Sequence, residues 1–290
     1  VLMGEATQGK NAYLQGILGS AIPAFRGVFS LVLKRVWVAA MNPYIKPWSV
    51  RAKRIPRAWN SGTAEIDGDA NPVHILRECL TNGDWGMGYP ESDLDDGSFT
   101  RAAATLYSEG FGLSLLWNRE ETIESFVLAI LKHIDGVLYV HPRSGLFTLR
   151  LARADYTLAN QAGFDPSNIL RLEEFSRPSW GEVTNQVTVI YRDRESDKDT
   201  SVTVQDLAGV QMTGSVVATS VNFPGISKAD LANRVAMREL KQLSSGLAKG
   251  VFVANRLASL LNIGDVILSL IHISEPTRLR RISYAVFCLK

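Results

Sequence analysis

Between Asn71 and Asp96 the chain runs Asn-Pro-Val-His-Ile-Leu-Arg-Glu-Cys-Leu-Thr-Asn-Gly-Asp-Trp-Gly-Met-Gly-Tyr-Pro-Glu-Ser-Asp-Leu-Asp-Asp. This stretch limits the fold more than any other. A short amphipathic helix, Pro72 to about Thr81, opens with proline where a missing N–H costs nothing. It must stop at a glycine-rich bend around Trp85, and a second helix must begin after the acidic run. Asp93-Leu-Asp-Asp-Gly-Ser98 echoes a calcium loop but lacks its ligand spacing and closing glutamate, so the acids read as caps, Asp96 or Ser98 serving the next helix. Gly86-Met-Gly88 holds too few glycines to cradle a phosphate and reads as a tight turn.

Periodicity extends the pattern. The second helix covers about Ser98–Glu109 and closes at Gly110. A third covers about Glu121–Ile134. Its Ile123, Phe126, Val127, Ile130, Leu131 and Ile134 make one apolar face, Glu120, Glu121 and Glu124 crowd its N-terminus, and Gly136 ends it. Leu113–Trp117 links helices two and three as a strand. Val137–Val140 and Leu146–Leu151 flank His141-Pro-Arg-Ser-Gly145 as a hairpin. Upstream, Val28, Phe29, Leu31, Val32, Leu33, Val36, Trp37 and Val38 make residues 23–57 strand-rich. Lys46, Arg51, Lys53, Arg54 and Arg57 alternate with apolar residues there, either as a solvated edge or as a phosphate-binding stripe. Residues 58–70 read as a turn-rich connector. Downstream, Asn185–Arg192 and Ser201–Gln205 alternate as strands joined through Asp193–Thr200. A helix at about Ala229–Leu243 begins with Ser227-Lys-Ala-Asp230 as a capping box. Gly250–Asn255 returns as a strand. The expected class is α+β, divided into a strand-rich segment 1–62, a mixed module 63–157 of three helices and a hairpin, a β-rich domain 158–267 with one helix, and a separate tail 268–290.

That tail resembles translated sequencing adapter. Leu268-Ser-Leu-Ile-His-Ile-Ser-Glu-Pro-Thr-Arg278 and Ile282-Ser-Tyr-Ala-Val-Phe-Cys-Leu-Lys290 match two constant adapter blocks at the spacing a sample index leaves, and read-through is set aside before fold reasoning. Without its four basic residues and one acidic residue, basic and acidic counts fall from 31 and 29 to 27 and 28, and net charge from +2 to −1. Basicity then gives no support to a nucleic-acid or anionic-membrane partner. The apolar run Leu257–Ile273 is broken by Asn262 and Asp265 and makes no membrane span. The natural chain is expected to begin before Val1 and to continue past Ile267.

No catalytic constellation emerges. The chain has no nucleophile elbow, Walker loop, dinucleotide fingerprint or H-E-x-x-H. Adjacent pairs Glu173-Glu174 and Asp95-Asp96 point apart and make no acid/base dyad. His74 and Glu78 lie one turn apart on a helix, but two ligands do not make a metal site. His133 and His141 read as cap or surface residues. Cys79 is the single cysteine outside the tail, so no disulfide framework is expected, and it reads as a small buried hydrophobe. The expectation is no catalytic residue, no cofactor and no metal.

Pro23-Ala-Phe-Arg-Gly27, Asn71-Pro-Val-His-Ile-Leu76, Trp85-Gly-Met-Gly88, Ile134-Asp-Gly-Val-Leu-Tyr-Val-His-Pro-Arg-Ser-Gly145 and Asn185-Gln-Val-Thr-Val-Ile-Tyr-Arg-Asp193 together resemble the phage tail tip attachment protein J family of lambda-like siphophages and gene transfer agents. The likeness covers about residues 20–267. It implies sheet-rich or β-barrel hub domains beside the mixed module. It also implies a homotrimeric hub at the distal end of the tail tube, part of the virion, assembled in the bacterial host cytoplasm and serving host attachment and DNA delivery. Partners would be other tail tip and tube proteins, with the host receptor reached only through distal domains missing here. A closed ring favours broad apolar interfaces over a cleft, and Trp48, Trp59 and Trp180, beside prolines or polar turns, are the interface candidates. A tail-associated cell-wall hydrolase and a carbohydrate-binding adhesion module stay open as alternatives.

Overall fold

The computed structural model describes residues 1–5, 7–36, 47, 48, 50, 52–117, 120–157 and 161–269, without the side chains of Trp180 and Ser269. The chain divides into two compact units, Val1–Lys53 and Arg54–Lys290. The first unit holds α1 (Ala12–Leu18). Asn11 caps it, its side chain accepting from the N–H groups of Tyr13 and Leu14, and Gly19 with φ of 83° ends it. The strand expected from Val28 onward does not form over the described part. Leu2 and Ser30 make one isolated antiparallel bridge, and Phe25 and Arg35 take positive φ. Such residues break the extended run that a strand needs. Trp37, Val38, Lys46 and Arg51 lie outside the described residues.

The second unit begins with a small hairpin, β1 (Glu65–Ile66) and β2 (Asp69–Ala70), in the segment read as a connector. Then comes α2 (Pro72–Thr81), with the bounds the sequence suggested. Asn71 caps it and is itself buried, its amide donating to the carbonyls of Thr63 and Ala103. The glycine-rich bend closes the helix by using its last carbonyls: Met87 N–H donates to Cys79 O at 2.8 Å and Tyr89 N–H to Leu80 O at 2.9 Å. Gly86 is required there, because a Cβ would sit 2.6 Å from Asn82 O and 2.8 Å from Cys79 O.

The next helix, α3 (Asp96–Ser108), starts two residues before the expected Ser98. Asp95 is its N-cap but makes no side-chain cap bond. Neither proposed cap works as one. Asp96 faces Trp59 and Arg77, and Ser98 turns inward to accept from Leu149 N–H at 3.2 Å. Gly110, at φ of 63°, follows the helix as expected. α4 (Ile123–Ile134) is capped by Thr122, so Glu120 and Glu121 lie before it. It ends on Asp135 in the left-handed region rather than on Gly136, and Gln242 donates to that carboxylate at 2.8 Å. Leu113–Trp117 contributes only an isolated bridge, Leu113 to Ala70. β3 (Gly136–Val140) and β4 (Phe147–Leu151) form the expected hairpin.

Beyond it lie β5 (Ala162–Phe164) and β6 (Ile169–Ser176), then β7 (Gln186–Asp193) and β8 (Lys198–Gln205), paired in full from Gln186↔Gln205 to Asp193↔Lys198. α5 (Leu207–Thr213) crosses over to β9 (Ala218–Asn222), which pairs parallel to β7, giving the order β8-β7-β9. α6 (Ala229–Ser244) covers that sheet, its Leu231, Val235 and Leu240 buried. β10 (Lys249–Ala254) returns antiparallel to β6, and β11 (Ile267–Ser269) pairs parallel to β5. Residues 270–290, most of the segment read as adapter-derived, lie outside the described residues.

The α+β class holds. The strands stay in separate sheets of two or three, and no closed barrel forms among the described residues. One hydrophobic core runs from Val73, Leu76 and Phe99 through Ile130 and Ile134 to Val187, Val189, Phe223 and Ala236. It draws on both 63–157 and 158–267. Each fully buried Leu, Ile or Phe contributes about 1.5–3 kcal/mol of transfer free energy.

Candidate functional site

The polar groups that a reader of the sequence would test for chemistry are used inside the fold. His74 is buried. Its Nδ1 lies 3.0 Å from Pro56 O, its Nε2 3.2 Å from Thr63 Oγ1, and its ring 5.0 Å from that of Trp59. Burial holds its pKa below the usual histidine value. Glu78, the other half of the suggested metal pair, is bound by Arg54. Arg57 binds Glu65, so two members of the suggested basic stripe are in ion pairs. Among the described residues no group of three or more His, Cys, Asp or Glu converges as a metal site.

Trp59 is half-buried over the mixed module. The Arg77 guanidinium lies 4.4 Å from its ring and its Nε1 donates to Asp96 Oδ1 at 2.9 Å. Arg77 is buried and also reaches Glu91 at 3.2 Å and Asp96 at 2.9 Å. This is a stack of cation, indole and carboxylates that fixes the start of α3 against α2. Trp48 is 55% exposed in the first unit. Trp180 opens a 3-10 turn, Trp180–Glu182, closed by a capping box between Ser179 and Glu182. The structure therefore puts the three tryptophans in three different settings.

His133 is not a surface cap. It is a buried residue of α4, its Nδ1 2.7 Å from Ala129 O and its Nε2 accepting from Gly225 N–H at 3.1 Å. Those partners require Nδ1 to carry the proton and Nε2 to be bare, the neutral ring. Burial pulls its pKa down to about 4. A Cβ at Gly225 would lie 2.9 Å from Leu115 Cδ2 and 3.0 Å from His133 Nε2, so a side chain there would have to displace Leu115 and crowd the ring.

A second buried polar junction was invisible in the sequence. Asp69, on β2, is buried. It binds Arg194 and accepts from Ser227 Oγ at 2.6 Å. Ser227 is thus not the capping residue of α6, whose N-cap is Lys228 without a side-chain bond. Its hydroxyl is committed to Asp69. Lys228 in turn pairs with Asp67 at 3.2 Å. Gly112 permits this close approach, since a Cβ there would lie 2.7 Å from that of Asp69.

On the surface, a groove of about 440 Å³ lies between α4, β3 and α6, lined by Leu128, Leu131, Asp135, Leu138 and Glu239. Its two carboxylates are engaged, Asp135 by Gln242 and Glu239 by Arg238 at 2.9 Å. Large apolar side chains lie exposed elsewhere, among them Leu116, Leu170, Leu172, Val251 and Val253. Among the described helices none is long and apolar enough to cross a membrane.

A family model described as a putative phage tail protein matches residues 122–283. The chain belongs to that family. The matched span runs on into the segment read as adapter-derived. No curated protein matches the chain. Among solved structures, a chain from the virion of a native gene transfer agent particle is similar over 93% of this chain and 64% of its own, at 17% identity and a TM-score of 0.53. The 43 kDa tail protein of prophage MuSo2 from Shewanella oneidensis is similar over 55% of this chain and 48% of its own, at 16% identity and a TM-score of 0.37. A tail protein from Neisseria meningitidis MC58 is similar over 46% and 39%, at 12% identity and 0.33. This phage tail protein spans less than two thirds of each of those chains. It is a structural component of the tail and hence of the virion.

Proposed function

We propose that this tail protein is part of the central hub at the tail tip, a relative of the tip attachment protein J family. Three copies close the distal end of the tube and bind other tail tip and tube proteins. They serve host attachment and DNA delivery, the receptor being met by domains outside this chain. The work is done by packing, with no catalytic residue and no specific nucleic-acid contact. The observation that carries the reading is the likeness, over 93% of the chain, to a protein of a gene transfer agent virion. The family match and the commitment of buried polar groups to internal bonds support it. Trp48, Trp59 and Trp180 are proposed to contribute to contacts between subunits, and the segments 1–62, 63–157 and 158–267 to act as separate structural modules of the hub.

The test is where the protein sits in a particle. Antibody labelling of purified virions, followed by electron microscopy, should place the label at the tip distal to the capsid. Label along the tube, at the capsid end or absent from the particle would refute the hub. Turnover of purified peptidoglycan would favour the cell-wall hydrolase instead.

A further inference from the structure

The ribbon formed by β6 and β10 has one face on which every residue is exposed. Residues directly opposite in an antiparallel pair share a face. The pairs Lys249↔Ser176, Val251↔Glu174 and Val253↔Arg171 therefore put six side chains together, and all six residues are exposed. The opposite face is mixed: Phe252, Ala254 and Ile169 are half-buried and Phe252 packs 5.7 Å from the buried Phe164, while Gly250, Leu172 and Phe175 are exposed. The ribbon is thus seated in part on one side and exposed throughout on the other. A two-stranded ribbon buries too little to be independently stable in water.

The open face has the make-up of a contact surface. Val251 and Val253, 49% and 38% exposed, form its centre, and charged residues form its border. The charges are of both signs. Arg171 is balanced by Glu173 at 2.5 Å. Lys249 and Glu174 make no ion pair among the described residues. A surface holding one uncommitted cation and one uncommitted anion around an apolar centre complements a copy of itself.

We infer that the Val251–Val253 face of the β6–β10 ribbon is a contact between copies of this chain, with Lys249 of one copy pairing Glu174 of the next. This rests on the trimeric hub reading and names the surface that reading requires. Among the described residues the ribbon has two strands only, so its outer edges carry backbone donors and acceptors that a neighbouring copy can satisfy.

The test uses the full 290-residue chain in sedimentation equilibrium, with E174K, K249E, the E174K/K249E pair and V251D. Each single charge reversal should weaken self-association roughly tenfold or more, and V251D as much. The double reversal should restore association to within about threefold of the parent, because it rebuilds the pair in the opposite sense. All three side chains altered are exposed, so thermal melts should superimpose. A parent trimer whose mass none of the variants changes would overturn the ribbon contact and leave the hub reading standing. A double reversal no stronger than the singles would overturn the Lys249–Glu174 pairing. A parent chain that stays monomeric would overturn both.

Discussion

Ser227 donates its hydroxyl to the buried carboxylate of Asp69 at 2.6 Å, joining positions 158 residues apart. The same carboxylate holds Arg194, at the turn after β7. One acid therefore ties the β1–β2 hairpin to the strand and helix of the β8-β7-β9 layer. A buried hydrogen bond to a charged group is worth about 1.5–3 kcal/mol, and an orphaned partner costs at least as much. Ser227→Ala should lower the free energy of unfolding by that amount in urea titrations. A capping role would predict about 1 kcal/mol and would be relieved by Asp or Asn at the same position. At this buried site Ser227→Asp should instead be worse than Ala, because it sets two carboxylates together.

His133 makes stability depend on pH. Its folded pKa is near 4 and its unfolded value is 6.5. Between those limits the unfolded chain binds a proton that the folded chain refuses, so stability rises with pH across the window. The contribution is complete above about pH 6.5 and is lost as pH falls toward 4, by about 3 kcal/mol. Unfolding free energies measured at pH 4.5 and 7 should differ less in His133→Gln than in the parent. Equal differences would show that this ring does not control the slope.

The bend after α2 should tolerate no side chain at Gly86. The two carbonyls at 2.6 and 2.8 Å are backbone atoms that cannot step aside. Gly86→Ala should destabilise by about 1–3 kcal/mol. Gly83→Ala, three residues earlier and with open space around it, should cost less than 1 kcal/mol.

Cys79 is fully buried on α2, and burial pushes its thiol up to about 12. The thiolate is the reactive form. Cys79 should therefore resist a water-soluble thiol reagent at pH 8 in the folded chain and react at once in denaturant. Labelling of the folded chain at this position would mean that α2 opens.

Local signals carried much of the fold. α2, the β3–β4 hairpin, β7 and α6 were legible because each has a strong period and chemically distinct ends. What failed was whatever depends on distant partners. Ser227 and Asp230 have the spacing of a capping box, and only the fold reveals that Asp69 claims the hydroxyl. His133 looked terminal because its helix ends there, yet α6 and the Phe223–Gly225 turn cover it. The Val28–Val36 run has strand composition but bridges at one residue over its described part, since a strand exists only with a neighbour to pair with. β9 and α5 are short and nearly without period. Trp59 is held by Arg77, His74 and Asp96, distant partners that its neighbouring residues in the sequence do not report.

The central claim is that this chain works by binding copies of itself. The mass of the purified full chain in solution, by sedimentation equilibrium across a hundredfold range of concentration, tests it most directly. The account predicts a species of three times the 31.9 kDa chain mass that dissociates on dilution. A single species of 31.9 kDa at every concentration would contradict it.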